Sequence, residues 1–315
     1  MEAEMNYVYT VWKHRSFSKA ARELYLTQPA LSAAVKRVET KLGLPLFDRA
    51  SKPLQLTEAG KLYIEKVEQI RLLESELQAQ VDDLHNNSSG ILRIGTTHYF
   101  TAYVLPPVLR QYIGKYPGVR IELYEAGGIV VQKMLEECKI DLSFASYRRE
   151  TEIFSHAPGI QDHLLLAVPS HFPISEEIAR LGLLSAQISA DWHLSKEHPW
   201  VSLEHFKDFP FMLLTKGHDM RRRTDALFQK ADVIPQVIME GEQFIAGYHL
   251  AIQGVCAAFV YDKAVLDTGA DILYFKLDPS YANRIANLVT NPKNYVSNSL
   301  LQFMRMFQAY YADRQ

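Results

Sequence analysis

Over residues 18–43 the chain carries two short helical patterns separated by only three residues, and that spacing allows few folds. Ser18 is a good N-cap, and after it Ala20, Ala21 and Leu24 set small and apolar groups on one side of a short helix. Small side chains let two helices cross closely. Thr27 is the next N-cap, and Pro29 falls in the first turn, where its missing N–H is not needed. Leu31, Val35, Val38 and Leu42 then recur at helical spacing, which gives one buried face, and Gly43 ends the helix as a C-cap. Two helices joined across residues 25–27 predict a helix-turn-helix.

The face opposite the apolar one offers Gln28, Ser32 and Lys36 at intervals of four. Gln can read a base edge, Ser a base or a phosphate, and Lys a phosphate, so the helix is expected to enter a major groove. After Gly43 comes LPLFDRASKPLQLT, in which Leu46 and Phe47 anchor to the core, Arg49 and Lys52 project, and Pro53 stiffens a short hairpin. That describes a wing with two phosphate contacts. For any single helix the alternative is ordinary core packing with a solvated polar face; the combination of caps, spacing and wing favours the groove. Up to Gly60, nine Lys and Arg stand against six Asp and Glu, so the head carries +3 and, with a chain total of −2, the remainder carries −5. A basic head on an acidic body suits a small DNA-contacting module on a larger domain.

The stretch SFSKAARELYLTQPALSAAVKRVETKLGLPLFDRASKPLQLTEAG resembles, nearly end to end, the N-terminal winged helix-turn-helix of the LysR-type transcriptional regulators. The Ser-Phe-Ser/Thr-x-Ala-Ala, Ser/Thr-Gln-Pro-Ala-Leu-Ser, Leu-Gly-x-Pro-Leu-Phe-x-Arg and Leu-Thr-x-Ala-Gly elements are all in register. The resemblance implies that Thr27, Gln28, Pro29 and Ser32 meet the groove and that Arg49 meets the DNA backbone; Ser18, Lys36 and Lys52 complete the candidate DNA-binding set. One departure is the pair Ala33 and Ala34, where the family often has a polar pair used for base contact. Alanine can still touch a thymine methyl.

From Thr57 the pattern runs helical to Leu84, where Asn-Asn-Ser-Ser-Gly follows. Tyr63, Val67, Ile70, Leu77, Val81 and Leu84 fall at a/d spacing, interrupted at Glu74, a little over three heptads. Such a helix can pair with a second copy or pack on its own domain; the resemblance to the family's dimerising linker favours a homodimer. The family also assembles as tetramers. A two-fold dimer implies an interrupted palindrome as the DNA site.

Beyond Gly90 the texture changes to buried strands alternating with helices: ILRIGTT, VRIELYEAGG and IDLSFAS, then LLLAVPS, FPFMLLTKG, PQVIME and VCAAFVY. This predicts an α/β domain with a doubly wound, mostly parallel sheet, in two units joined by two crossings. The family's effector domain, which looks like the periplasmic solute-binding fold, matches this plan. The expected organisation is an N-terminal all-α winged helix-turn-helix at 1–60, a linker helix at 57–85 and an α/β effector domain at 90–315. Within the last, subdomain I covers about 90–163 and 267–315, and subdomain II about 164–266.

Ligands of open α/β sheets sit beyond the carboxyl ends of strands. The first such end is GTTHY, so Thr96, Thr97, His98 and Tyr99 are candidate effector contacts beside a helix start that favours an anion. The family binds small-molecule co-inducers at this loop. Thr97 can equally serve only as a cap. Gly128 lets backbone approach a ligand or simply turns the chain, and Ser146, Thr215 and Phe244 lie at strand ends or loops expected to face the same cleft. Arg221, Arg222 and Arg223, behind Asp219 as cap, set positive charge in the first turn of a helix, against its dipole. They suit an anionic effector, acidic residues of another subunit, or a solvated face relieved by Asp219.

No metal or other cofactor is expected. None of the eleven histidines pairs at i, i+4 beside a Glu, and His193, His198 and His205 lie in an irregular stretch without Cys. Cys138 and Cys256 share no metal or redox spacing and read as two small buried side chains in a reducing compartment. The N-terminus lacks a signal-peptide pattern and no run of apolar residues is long enough for a membrane helix, so a cytoplasmic protein is expected. No phosphate-cradling Gly-rich motif or Gly-x-Ser-x-Gly elbow points to an enzyme. The reading is a DNA-binding regulator modulated by a small-molecule effector, with promoter DNA and RNA polymerase as partners. The alternative is a solute-binding protein with a non-functional head.

Overall fold

The computed structural model describes residues 2–84, 89–145, 154–267 and 269–312. The chain divides into two compact units, Met1–Val81 and Asp82–Gln315. In the first, α1 (Glu2–His14), α2 (Phe17–Glu23) and α3 (Gln28–Leu42) precede a hairpin of β1 (Phe47–Asp48) and β2 (Gln55–Leu56), and α4 (Glu58–Leu84) follows. Val8, Val11, Ala20, Ala21, Leu31, Val35, Val38, Leu46, Phe47 and Ile64 form the core.

Local signals account for most of this unit. Thr27 accepts a 3.3 Å hydrogen bond from the Ala30 N–H, and Gly43 closes α3 at φ +74, a conformation that a Cβ disfavours. The cap of α2 is Ser16 rather than Ser18, with Ser16 Oγ accepting from the Lys19 N–H. The helix starts early enough to bring Phe17 edge-on to Phe47 at 5.7 Å, which ties it to the wing. Thr57 caps α4 through the Gly60 N–H at 3.0 Å. Gly60 is required by packing, because a Cβ there would sit 2.0 Å from the Leu46 carbonyl oxygen.

In α4 the first turns pack on this core through Gly60, Ile64 and Val67, whereas Leu73, Leu77, Val81 and Leu84 are exposed. The two readings of the linker therefore divide along its length.

The second unit begins with the parallel pair β3 (Gly90–Thr96) and β4 (Val119–Glu125), separated by a π-helical turn at Phe100–Val104 and by α5 (Leu105–Lys115). The regular helix waits for the prolines that follow Leu105, which fit only its first turn. Next come α6 (Gly128–Glu136), β5 (Ser143–Ala145) and the long strand β6 (Ser155–Pro169). Beyond it lie α7 (Glu176–Ala179), α8 (Ser185–Ser189), β7 (Pro210–Leu214), α9 (Asp219–Lys230), β8 (Gln236–Gly241), α10 (Phe244–Ile252) and β9 (Ala257–Tyr261). The chain ends through β10 (Ile272–Lys276), α11 (Pro279–Ala282), β11 (Asn283–Thr290) and α12 (Asn298–Ala312).

Strand order β5-β11-β6-β9-β7-β8 shows why the sheet is less parallel than the pattern predicts. β7 runs parallel to β8 and β9, but β6 and β11 run antiparallel, as two crossings in opposite directions must. β6 changes partners along its length: residues up to His163 pair with β11, and Leu164–Ala167 pair with β9. β10 pairs with residues 165–169, so the return crossing follows Lys276 rather than falling near 267. At the crossing Gly159 is pressed against β11, where a Cβ would meet the Ala286 carbonyl oxygen at 1.9 Å. Among the described residues no helix is long and apolar enough to cross a membrane.

Candidate DNA-binding face and effector cleft

Along α3, Gln28, Pro29, Ala33, Lys36 and Arg37 are exposed and Ser32 is half-buried. Ala34 is buried in the head, so only Ala33 of the alanine pair lies on the outer face. Position 34 joins the Leu31, Val35 and Val38 stripe, and the departure there concerns packing rather than base contact. Arg37, which the intervals of four passed over, is a further exposed cation of this helix, and Lys41, paired with Glu4, is another.

The wing is fastened to α3 by a buried carboxylate. Glu39 Oε1 accepts the Leu46 N–H at 2.9 Å and the Phe47 N–H at 3.4 Å, and Oε2 lies 3.2 Å from Arg49 Nη2. The Arg49 guanidinium also donates to Ser32 Oγ at 3.4 Å and lies 5.3 Å from the Phe17 ring centroid. Arg49 thus does not project freely; it is a half-exposed clasp between wing and helix. Lys52 and Ser18 are exposed.

In the second unit the structure brings Tyr99 and Phe244 together, and Thr96, His98 and Thr215 hold hydrogen-bond partners within the chain. Tyr99 is buried, with its ring centroid 5.9 Å from that of Phe244 and 4.7 Å from that of Tyr261, and Phe244 lies 5.9 Å from Tyr261. Thr96 is buried, with its hydroxyl donating to the Thr97 carbonyl at 3.3 Å; Thr97 itself accepts from the Phe100 and Thr101 N–H groups. His98 pairs with Glu125 at 3.2 Å. Thr215 donates to Glu242 at 2.9 Å, and His218 reaches the other oxygen of that carboxylate at 3.0 Å. Gly128 begins α6 with open space where a Cβ would stand. Ser146 lies outside the described residues.

Where the cleft was expected, the two crossing strands meet in a buried charged cluster. Asp162 of β6 accepts from the Tyr99 hydroxyl at 2.7 Å and from Arg284 Nε of β11 at 3.0 Å. Arg284 also reaches Asp219 at 3.3 Å and lies 3.9 Å from the Tyr261 ring centroid, a cation–π contact in a desolvated setting. Burial pushes the Tyr99 hydroxyl up, with the Asp162 charge adding to it. Among the described residues the buried Tyr261 hydroxyl has no hydrogen-bond partner. A buried hydroxyl of this kind costs free energy until something meets it.

The arginine triplet is absorbed by its surroundings. Arg221 donates to Asp225, Glu240 and the Leu214 carbonyl; Arg222 and Arg223 hold Asp219; Arg223 also donates to the Tyr281 and Asn283 carbonyls at 3.0 Å. The cap of α9 is His218, and Asp219 is its first residue. Burial raises the Asp219 carboxyl, but the hydrogen bonds from Arg223 and Arg222 and the charges of Arg223 and Arg284 outweigh it and hold it at about 2. Arg221 and Arg223 are mostly buried, so the solvated-face reading holds for Arg222 alone.

A second cluster was missed by spacing arguments. His163 Nδ1 and His193 Nε2 lie 3.0 and 3.2 Å from Asp262 Oδ2, which also accepts from Lys263 Nζ at 2.9 Å. Burial raises the Asp262 carboxyl, but the hydrogen bonds from both histidines and the Lys263 charge reverse this and hold it below its ordinary range. Cys256 is buried, and burial pushes its thiol up. Cys138 is only partly buried, at φ +59 just after α6, so it is not the second buried small side chain.

Comparison with known proteins fits both units. Residues 3–61 match the bacterial regulatory helix-turn-helix protein, lysR family, and residues 85–312 match the LysR substrate binding domain. The HTH-type transcriptional regulator YcgK of Bacillus subtilis (strain 168) is 27% identical over 302 residues, covering 96% of this chain and 92% of that protein. The HTH-type transcriptional regulator CbbR of Rhodospirillum rubrum is 33% identical over 187 residues, 59% of this chain and 60% of that protein. Among solved structures, full-length CbnR complexed with its target DNA superposes with a TM-score of 0.68 at 17% identity, covering 98% of each chain. With both domain models matched and the helix-turn-helix, wing and crossing strands in place, the chain belongs to the LysR family of transcriptional regulators.

Proposed function

We propose that this regulator binds promoter DNA as a homodimer, and as a homotetramer of two such dimers, with the outer face of α3 in the major groove. The observation that carries the reading is the exposed row Gln28, Pro29 and Lys36 beside a wing pinned to the same helix through Glu39, Arg49 and Ser32. Thr27, Gln28, Pro29, Ser32 and Ser18 would meet bases or nearby phosphates, and Lys36, Arg49 and Lys52 the backbone. The pairing surface would be the exposed Leu73, Leu77 and Val81 row of α4, continued by a groove of about 380 Å³ lined by Met5, Asn6, Val67, Ile70, Arg71 and Glu74. Action on promoter DNA with RNA polymerase as a partner places the protein in the cytoplasm, without an enzymatic activity of its own.

A small-molecule effector would enter the cleft at Tyr99, where the unpartnered Tyr261 hydroxyl and Phe244 supply one polar and one apolar contact. Thr96, Thr97, His98, Gly128 and Thr215 would line its approaches. Arg284 supports an anionic effector, which would compete with Asp219 for its guanidinium. An effector that binds one arrangement of the crossing strands more tightly shifts the population toward it.

The test is selection of genomic fragments by the purified protein at two salt concentrations. Recovery of an interrupted palindrome, with affinity falling steeply as salt rises, is the expected result. Retention indifferent to sequence at both salts would instead favour a solute-binding protein with an idle head.

A further inference from the structure

We propose that His163, His193 and Asp262 form a binding site for a first-row divalent transition metal of the Zn²⁺ class. Among the described residues these three form a group whose ligand atoms, Nδ1, Nε2 and a carboxylate oxygen, all lie within 4.8 Å of one another. They come from three separate pieces of chain: β6, the turn after α8, and the turn that follows β9. A tetrahedral Zn²⁺ with N and O ligands at about 2.0–2.1 Å sets neighbouring ligand atoms roughly 3.4 Å apart. The His163–Asp262 and His193–Asp262 distances of 3.0 and 3.2 Å are already near that value. Two imidazoles and one carboxylate suit a borderline cation, leaving a fourth position for water.

The electrostatics favour a cation. Asp262 is buried, and its Oδ2 accepts from the Lys263 ammonium at 2.9 Å as well as from the two histidines. Lys263 is partly exposed on a flexible stem and sits one residue from Asp262, so it can swing into solvent when a divalent ion takes its place. The Lys263 and His163 side is the wetter side of the cluster and gives the ion its way in.

Outer contacts set the expected strength. The Gln161 amide lies 3.3 Å from His163 Nε2, and a half-turn of that amide offers its oxygen to the Nε2–H of a metal-bound ring. Among the described residues the buried His193 Nδ1 has no hydrogen-bond partner, and a missing outer hydrogen bond commonly costs about 10–100-fold in metal affinity. A moderate affinity follows, suited to reversible occupancy. His163 is the residue after Asp162 and stands where β6 changes partners, so an ion here would brace the crossing strand beside the effector cleft.

The experiment uses untagged full-length protein titrated with Co²⁺ as a spectroscopic stand-in, followed by Zn²⁺. Expected are visible ligand-field bands of low-symmetry four-coordinate Co²⁺ that saturate at one equivalent per chain and are bleached by Zn²⁺. His163→Ala should abolish them, His205→Ala should leave them unchanged, and Lys263→Ala should tighten binding several-fold by removing the competing ammonium. Absence of stoichiometric bands in the wild type overturns the site, as does their persistence in a folded His163→Ala. Should that variant misfold, Lys263→Ala decides: tighter Co²⁺ binding supports the site, and unchanged or weaker binding overturns it.

Discussion

Arg284 Nη2 lies 2.9 Å from Asp162 Oδ2, and the two side chains are 8% and 0% exposed. Each belongs to one of the two crossing strands, so the pair ties β11 to β6. Removing Asp162 leaves the Arg284 guanidinium only Asp219 and the Tyr261 ring and takes the acceptor from the Tyr99 hydroxyl, within the roughly 3–5 kcal/mol that breaking a buried pair costs. Asp162→Ala is therefore expected to lower unfolding stability by that amount, and chemical denaturation followed by fluorescence would read it. Arg222→Ala, which removes a mostly exposed guanidinium, is expected to fall within about 1 kcal/mol of wild type.

Asp219 gives the chain a measurable acid dependence. Its carboxyl is held at about 2 against an ordinary 3.8, and its side chain is only 20% exposed. A depressed carboxylate contributes stability that is fully present above the unfolded value and is lost as pH falls through the folded one. The difference corresponds to ~2 kcal/mol. Asp219→Asn should thus be destabilised relative to wild type near neutral pH, and the gap should close as pH falls from about 3.8 to about 2. A gap that stays constant through this window would show that Arg222, Arg223 and Arg284 do not hold the carboxylate as described.

The contrast between these long-range clusters and the head explains what was legible in the sequence. Thr27, Pro29 and Gly43 act on backbone groups within a few residues of themselves, so the helix-turn-helix could be read locally. Ser16 and Ser18 are chemically equal caps, and only the Phe17–Phe47 contact across the wing distinguishes them. Asp162 and Arg284 are 122 positions apart, and His193 and Asp262 are 69 apart. No spacing rule links such residues. A weaker signal was present: Asp162 and His163 stand at the head of the apolar run LLLAV, where an ionisable group in a strand buried on both faces needs a partner somewhere. The mostly parallel sheet was expected from strand–helix alternation, which does not reveal that β6 and β11 are the two antiparallel crossings.

On DNA, the two kinds of contact along α3 should separate cleanly. Gln28→Ala is expected to lower discrimination between operator and mismatched sites by about 1–3 kcal/mol, with little change in the salt dependence. Lys36→Ala should weaken binding to all sequences alike and reduce the slope of log affinity against log salt by about 0.9. Titrations of labelled operator and scrambled duplex at several salt concentrations measure both. If Gln28→Ala weakens both duplexes equally, Gln28 contacts the backbone and the base reading must pass to Arg37 or Ser32.

The exposed apolar row on α4 makes the last prediction. Leu73, Leu77 and Leu84 are 65%, 62% and 83% exposed, while the same helix buries Ile64 and Val67 against its own head. Leu73, Leu77 and Leu84 are thus left exposed within one chain. Covering one leucine side chain is worth about 1.5–3 kcal/mol, and two-fold pairing covers it once in each copy. Leu77→Asp should therefore weaken self-association by at least ~100-fold, because it removes both contacts and sets two carboxylates near one another. Sedimentation velocity over a concentration series would show the variant as a monomer where wild type is a dimer, with far-UV circular dichroism unchanged. A Leu77→Asp chain that remains dimeric over the whole series would place the pairing surface elsewhere, with the groove at Met5, Val67 and Ile70 the next to be altered.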